Sequence, residues 1–355
     1  MSLSIKKTRA AILSESRAPL VIDEIKLPEQ LFSGQILVEV ITSGICGAQV
    51  NEIDAVKGDD KFLPHLLGHE GFARVIEIAP DITKVTPGDT VIMHWRQGSG
   101  AQSKPPIYKW KGNDLNAGWV TTFNRHSIVS ENRITKIDPG VLDKNILPLL
   151  GCALPTALGV LENDIQVNFR DSIIVLGCGG VGLSIIKIAE LFGIKDLLAI
   201  DIKKEKLIYA EKMGASKTLL FTGKDNTLNE LKKIYGKSLP NIAIETTGRS
   251  EAIELCYEIT SPTAKIILVG VPKIDDSAKI HTLPLHFGKI LKGSYGGNSN
   301  PDRDIPDLLG FLKSKELDFN DYPTKIFSLG NINQAITEMR QGIPGRMIID
   351  YSLDL

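Results

Sequence analysis

Ile173-Ile174-Val175-Leu176-Gly177-Cys178-Gly179-Gly180-Val181-Gly182 reads as a short apolar strand, a tight turn and the start of a helix. This is G-x-G-x-x-G in the context that gives it meaning. The first glycine permits the turn, the second lets backbone approach a pyrophosphate, and the third lets helix and strand pack closely. The helix start offers unpaired N–H groups and a positive dipole end to phosphate oxygens. Asp201 ends the next strand, nineteen residues after Gly182, where a carboxylate reaches an adenosine ribose. That favours NAD over NADP, since a 2′-phosphate would meet a negative charge. Lys203 and Lys204 argue the other way. The cofactor-binding candidates from this turn are Gly177, Gly179, Gly180, Val181 and Gly182, with Asp201.

Outward from the turn, strands alternate with amphipathic helices. Strands are expected at Leu197–Ile200, Thr218–Phe221, Ile242–Glu245 and Lys265–Val269. Helices are expected at Val181–Phe192, Lys204–Met213, Leu228–Tyr235 and Glu251–Ile259. Repeated β-α-β alternation predicts a doubly wound parallel sheet with helices on both faces. The first half follows a different grammar. Short β-prone runs such as Gln35–Ile41, Ala73–Ile78 and Asp89–Met93 are separated by Gly, Pro and Asp turns, which predicts a β-rich domain. Leu147 to Leu161 reads as helix interrupted by Pro148 and Pro155. After Tyr295, helices at Asp304–Lys313 and Ile332–Arg340 precede a strand at Arg346–Tyr351. That tail is short for an independent domain. The expected division is therefore residues 1–153 completed by 296–355, with the dinucleotide-binding domain at 154–295.

Composition sets outer limits. The chain has 355 residues, 43% hydrophobic and 23% charged, with net charge −1. It is long enough for two domains and carries no global field toward nucleic acid or anionic membrane. No apolar run approaches the roughly 20 residues a membrane span needs, and Met1 to Arg9 lacks an apolar signal core. A cytoplasmic location is the expectation. Four scattered cysteines make no disulfide framework. Cys178 and Cys256 read as buried small hydrophobes.

The remaining chemistry lies in three separated places: Ser43-Gly44-Ile45-Cys46-Gly47, Gly68-His69-Glu70-Gly71 and Gly151-Cys152-Ala153-Leu154-Pro155-Thr156. Catalytic zinc takes three protein ligands of this kind and keeps one position open. Their wide spacing selects nothing by itself. With these runs in order, Gly88-Asp89 and Val91 between them and the glycine turn after them, the chain resembles the zinc-dependent medium-chain dehydrogenases. These are the alcohol, polyol and threonine dehydrogenases. The resemblance covers nearly the whole chain and implies a Rossmann domain beside a β-rich GroES-like catalytic domain.

It further implies that Cys46, His69 and Cys152 bind one catalytic zinc, with Glu70 an exchangeable or outer ligand. Thr156 matches a residue on the nicotinamide side. Asp201 and Lys206 match the pair on the adenosine ribose. Val269, Gly270 and Val271 match the segment beside the nicotinamide, and Arg346 matches a pyrophosphate-binding arginine. Plain alternatives stay open: Glu70 as a surface ion-pair partner, Thr156 as a helix-start hydroxyl, Lys206 as a solvated lysine and Arg346 as an edge charge. The expected activity is hydride transfer between NAD(H) and a secondary alcohol, polyol or sugar-derived substrate. A metal-free quinone or enone reductase and a non-catalytic NAD-binding protein are the alternatives. The resemblance implies a homodimer or homotetramer, in which the strand near Lys292–Tyr295 would pair.

Two departures from the family stand out. Many relatives carry four cysteines for a structural zinc in the lobe here spanning Trp95 to Trp119, which has none. One zinc per chain is expected, with the lobe held by Trp95, Tyr108, Trp110 and Trp119 or by a subunit contact; the four aromatics could also line a substrate pocket. The family's relay hydroxyl is replaced by Ala48, which cannot move a proton. Gln49 and Asn51 stand where many relatives have Asp and His. Proton transfer would then use water, Glu70, or an imidazole such as His65 or His94.

Overall fold

The computed structural model describes residues 3–322 and 324–354. The glycine turn lies at the centre of a six-stranded, all-parallel sheet. Its order is Lys217–Leu220, Asp196–Asp201, Ser172–Leu176, Ile242–Glu245, Lys265–Leu268, Ile290–Gly293. Every neighbouring pair is parallel. The central strands Asp196–Asp201, Ser172–Leu176 and Ile242–Glu245 are buried on both faces, as parallel strands covered by helices must be. Ile173 and Val175 enter one core, while Ile174 and Leu176 enter the other. The chain leaves Ser172–Leu176 toward one edge and returns to its other side at Ile242–Glu245. A ligand crevice forms at such a reversal, beyond the carboxyl ends of the strands.

Helices on this sheet include α3 (Gly180–Ile188) and α4 (Lys204–Lys212). Earlier in the chain come α1 (Gly47–Ile53) and α2 (Ala153–Gly159). The predicted helix from Leu147 to Leu161 is in three pieces: a 3-10 turn at Leu147–Gly151, then α2, then a π turn at Val160–Ile165. The break falls at Cys152, whose φ of −151° is not helical.

The β-rich part has two sheets. Gln35–Ile45 is the hub of the larger one, pairing with Gly71–Ile78, His126–Ser130 and Arg346–Asp350. The last strand thus joins the sheet of the first half. Thr324–Phe327 extends it in parallel with the last strand. The smaller sheet holds Lys7–Leu13, Val21–Lys26, His65–Leu66 and two short strands of the lobe, Tyr108–Trp110 and Asn113–Leu115. Three of the four aromatics pack the lobe. Tyr108 is fully buried and its hydroxyl accepts from Ile128 N; Trp110 donates to Asp23, and Trp119 to the Ser103 carbonyl.

Candidate metal centre and dinucleotide cleft

Three backbone devices bring the distant ligands together. Strand Gln35–Ile45 runs out at Cys46, which precedes α1. Gly68 adopts φ +88°, and a Cβ there would strike Thr122 and Phe123. Only glycine makes that turn cheaply, and it sets His69 and Glu70 ahead of strand Gly71–Ile78. Gly151 sits against the Met93 carbonyl, with its Cβ position 2.9 Å from Glu70 Cα. That close approach delivers Cys152 to the other two. As a result Cys46, His69 and Cys152 place one ligand atom each within 4.8 Å of one another. Both cysteines are buried and free of disulfides.

The Cys152 thiol hydrogen-bonds Cys46 and pulls its pKa well down, burial opposing and His69 assisting; Cys46 in turn, with burial, pushes Cys152 up. Such a pair holds one proton between two sulfurs, which a cation would displace. Two sulfurs and one imidazole are the donor set of a catalytic zinc with a position left open. The residues present therefore fit that metal.

Glu70 does not join this group. It is fully buried, one oxygen pairs with Arg346, and Oε2 has no protein partner. Neither plain alternative survives: Glu70 is not a surface ion-pair partner, and Arg346 is not an edge charge. Arg346 is 3% exposed, and burial lowers its pKa while the Cys46 sulfur raises it. Its position follows from register, because Met347 pairs with Ile45, the residue before Cys46. A Cβ on Gly180 would lie 2.5 Å from Arg346 Cδ. One guanidinium thus touches both the metal corner and the glycine turn.

Between them runs a cleft of about 470 Å³. Its lining includes Cys46, Ala48 and Asn51 on one side, and Gly177, Gly179, Gly180, Val181 and Gly182 on the other. Asp201, Lys206, Val269, Gly270, Val271 and Arg346 complete the sequence-predicted set on its wall. A Cβ on Gly179 would meet nothing within 4 Å, so backbone there is open to a ligand. A Cβ on Gly182 would strike the Gly177 carbonyl, the close packing the motif requires. Asp201 accepts from Cys178 N at 2.8 Å and Lys203 N at 2.9 Å. Thr156 lies in α2, and its hydroxyl hydrogen-bonds the Cys152 sulfur. Open glycine backbone, a helix start and an acid at the adjacent strand end fit a dinucleotide.

The sequence reading missed Arg249, which lines the cleft just before the helix Ser250–Glu258, as do Thr246 and Thr247. The only signal was their place after strand Ile242–Glu245. Trp95 is also a metal-corner residue, hydrogen-bonding the Cys152 sulfur and meeting the Tyr295 ring edge-on at 5.1 Å. His94 offers no proton route. Nδ1 faces the Arg96 carbonyl at 2.7 Å, Nε2 faces Thr135 Oγ1 at 3.1 Å, and burial pushes its pKa down to about 4. It is a neutral, fully engaged core imidazole.

Comparisons with known proteins agree with this architecture. Residues 33–139 match the alcohol dehydrogenase GroES-like domain, and residues 180–314 match the zinc-binding dehydrogenase family. The chain belongs to the zinc-dependent medium-chain dehydrogenases. It is 24% identical to alcohol dehydrogenase class-P of Arabidopsis thaliana, over 97% of each chain. It is 25% identical to S-(hydroxymethyl)glutathione dehydrogenase of Escherichia coli (O1:K1 / APEC), over 97% of this chain and 100% of that one. The solved benzyl alcohol dehydrogenase of Acinetobacter calcoaceticus superimposes with TM-score 0.86 at 25% identity, covering 98% of this chain and 99% of that one. Among the described residues, no helix is long and apolar enough to cross a membrane.

Proposed function

We propose that this protein is an NAD-dependent zinc dehydrogenase interconverting a secondary alcohol, polyol or sugar-derived substrate and its carbonyl. The observation that carries the reading is the Cys46, His69 and Cys152 donor set, with Cys46 on the wall of the cleft that the glycine turn also lines. When bound, zinc supplies a Lewis acid for the substrate oxygen and the dinucleotide supplies hydride chemistry. The chain's own residues place and tune these partners. Cys46, His69 and Cys152 hold the metal, and Trp95 and Thr156 steady the Cys152 sulfur. Glu70 and Arg346 form a buried ion pair behind the metal, and Arg346 also faces the turn where a pyrophosphate would lie. The helix α3 start and Gly179 bind phosphate, while Asp201 and Lys206 take the ribose. NAD is favoured because Asp201 ends the adjacent strand at the cleft and Lys203 spends its ammonium on the Gln341 carbonyl.

One catalytic zinc and none in the lobe are proposed per chain, because residues 95–119 contain no cysteine. Residues 1–153 with 296–355 would form the catalytic domain and 154–295 the cofactor domain. A second copy is proposed to pair along strand Ile290–Gly293, the edge of the parallel sheet, where Ile290 and Phe287 are 45% and 70% exposed. Two-fold pairing of such an edge closes it.

The donor set disfavours a metal-free quinone or enone reductase on this fold. The test combines metal analysis with NADH absorbance over a panel of polyols, secondary alcohols and aldehydes. Cysteine-dependent zinc with turnover is the expected result. Zinc-free active protein would establish the metal-free reading instead, and NAD binding without turnover the non-catalytic one.

A further inference from the structure

A second set of ligand-type side chains, none shared with the three zinc ligands, meets beside α1. Glu52 from α1, Asp60 from the following loop and His65 from strand His65–Leu66 bring one ligand atom each within 4.8 Å of one another. Asp60 Oδ2 is 2.7 Å from His65 Nε2, and Glu52 Oε1 is 3.8 Å from it. The other atom of each group is already held from outside the trio. Glu52 Oε2 accepts from Gln49 Nε2 at 3.1 Å, Asp60 Oδ1 accepts from Phe62 N at 2.8 Å, and His65 Nδ1 faces the Leu66 carbonyl at 2.9 Å.

These outer contacts decide what the inner atoms can do. A carbonyl oxygen only accepts, so Nδ1 carries the ring hydrogen. In the neutral ring Nε2 then presents a lone pair to two carboxylate oxygens. Three acceptors aimed at one point need a positive charge between them. The Nδ1 contact to a carbonyl is also the arrangement that orients histidines bound to metals through the opposite nitrogen. His65 and Asp60 side chains are 9% and 11% exposed, while Glu52 is 43% exposed and leaves an open side.

We propose that Glu52, Asp60 and His65 bind a divalent transition-metal cation at a site separate from Cys46, His69 and Cys152. One imidazole nitrogen and two carboxylate oxygens suit a harder cation such as Mn²⁺, with water completing the coordination. Partial burial raises the Glu52 carboxyl above its ordinary value. The neighbouring Asp60 carboxylate adds to that rise, and Lys57 opposes it. Protons therefore compete with the cation, and affinity falls toward low pH. The site would tie the loop after α1 to the helix that presents Ala48 and Asn51 to the cleft, stiffening that wall. The proposal does not depend on the dehydrogenase reading.

The experiment is a Mn²⁺ titration of the whole protein, dialysed against a weak chelator and followed by the electron paramagnetic resonance of free Mn²⁺. Wild type and Cys46→Ser are each expected to remove about one equivalent. His65→Gln and Asp60→Asn are expected to weaken this at least about tenfold, a second-sphere or ligand-loss effect, with zinc content and circular dichroism unchanged. Retained affinity in His65→Gln overturns the site. Loss of Mn²⁺ binding in Cys46→Ser assigns the ion to the cysteine centre and equally overturns it. No binding in wild type, with His65 carrying hydrogen on both ring nitrogens by NMR, leaves an ion-pair cluster in its place.

Discussion

The glycine turn and the metal corner face the same cleft, but they reach it by different means. The turn occupies consecutive residues, Gly177 to Gly182, and its chemistry is backbone N–H groups at a helix start. The metal corner takes side chains from a strand end, a left-handed turn and a helix junction. A site made of backbone survives most side-chain changes except a Cβ placed in its space. A site made of dispersed side chains fails when one ligand atom is lost. The two should therefore separate cleanly under mutation.

The largest expected effect is at the metal. Cys46→Ala removes one of three ligands, and kcat/KM should fall about 10⁴-fold, roughly 5.5 kcal/mol of transition-state stabilisation. Zinc content should fall with it while NADH affinity stays within a few fold. Loss of NADH binding to the same extent would mean the two walls are one cooperative unit.

Next comes the ion pair that joins them. Glu70→Gln keeps the volume but leaves Arg346 buried without its carboxylate. Breaking one partner of a buried pair costs about 3–5 kcal/mol, which denaturant unfolding would read. The double replacement Glu70→Gln with Arg346→Gln should lose less than the sum of the singles. Strict additivity would show that the contact carries no coupling.

Gly179→Val tests the other wall alone. Its Cβ meets nothing in the protein and the residue has φ −80°, so folding and zinc content should hold. The added side chain fills the space above the turn, and the NADH Kd should rise about 100-fold, near 2.7 kcal/mol. Unchanged NADH affinity would move the pyrophosphate elsewhere.

The same contrast explains what the sequence made legible. The parallel sheet and its turn were readable because strand, glycines and helix are contiguous, and inward positions alternate as at Ile173 to Leu176. The metal ligands carried no local signal and needed the order of several motifs. Arg346 was legible as a cleft residue but not as the partner of Glu70, because that contact depends on which residue pairs with Ile45. His65 and His94 looked equivalent as imidazoles. Both are buried with two engaged nitrogens, but His94 faces a carbonyl and a hydroxyl, whereas His65 collected two carboxylates from α1 and a loop with no periodicity.

Ala48 gives the smallest effect and the finest comparison. It lines the cleft one helical turn before Glu52, where a family member's hydroxyl would begin a proton route. An alanine there leaves metal and dinucleotide sites intact while removing a proton carrier. Ala48→Ser adds one oxygen at a position open to the cleft, so zinc content and NADH affinity should not change. The pH profile of kcat should shift, because a side-chain donor then competes with water for the departing proton. An identical profile would mean that water already carries the proton without limiting turnover, and that the missing hydroxyl is neutral for this enzyme's chemistry.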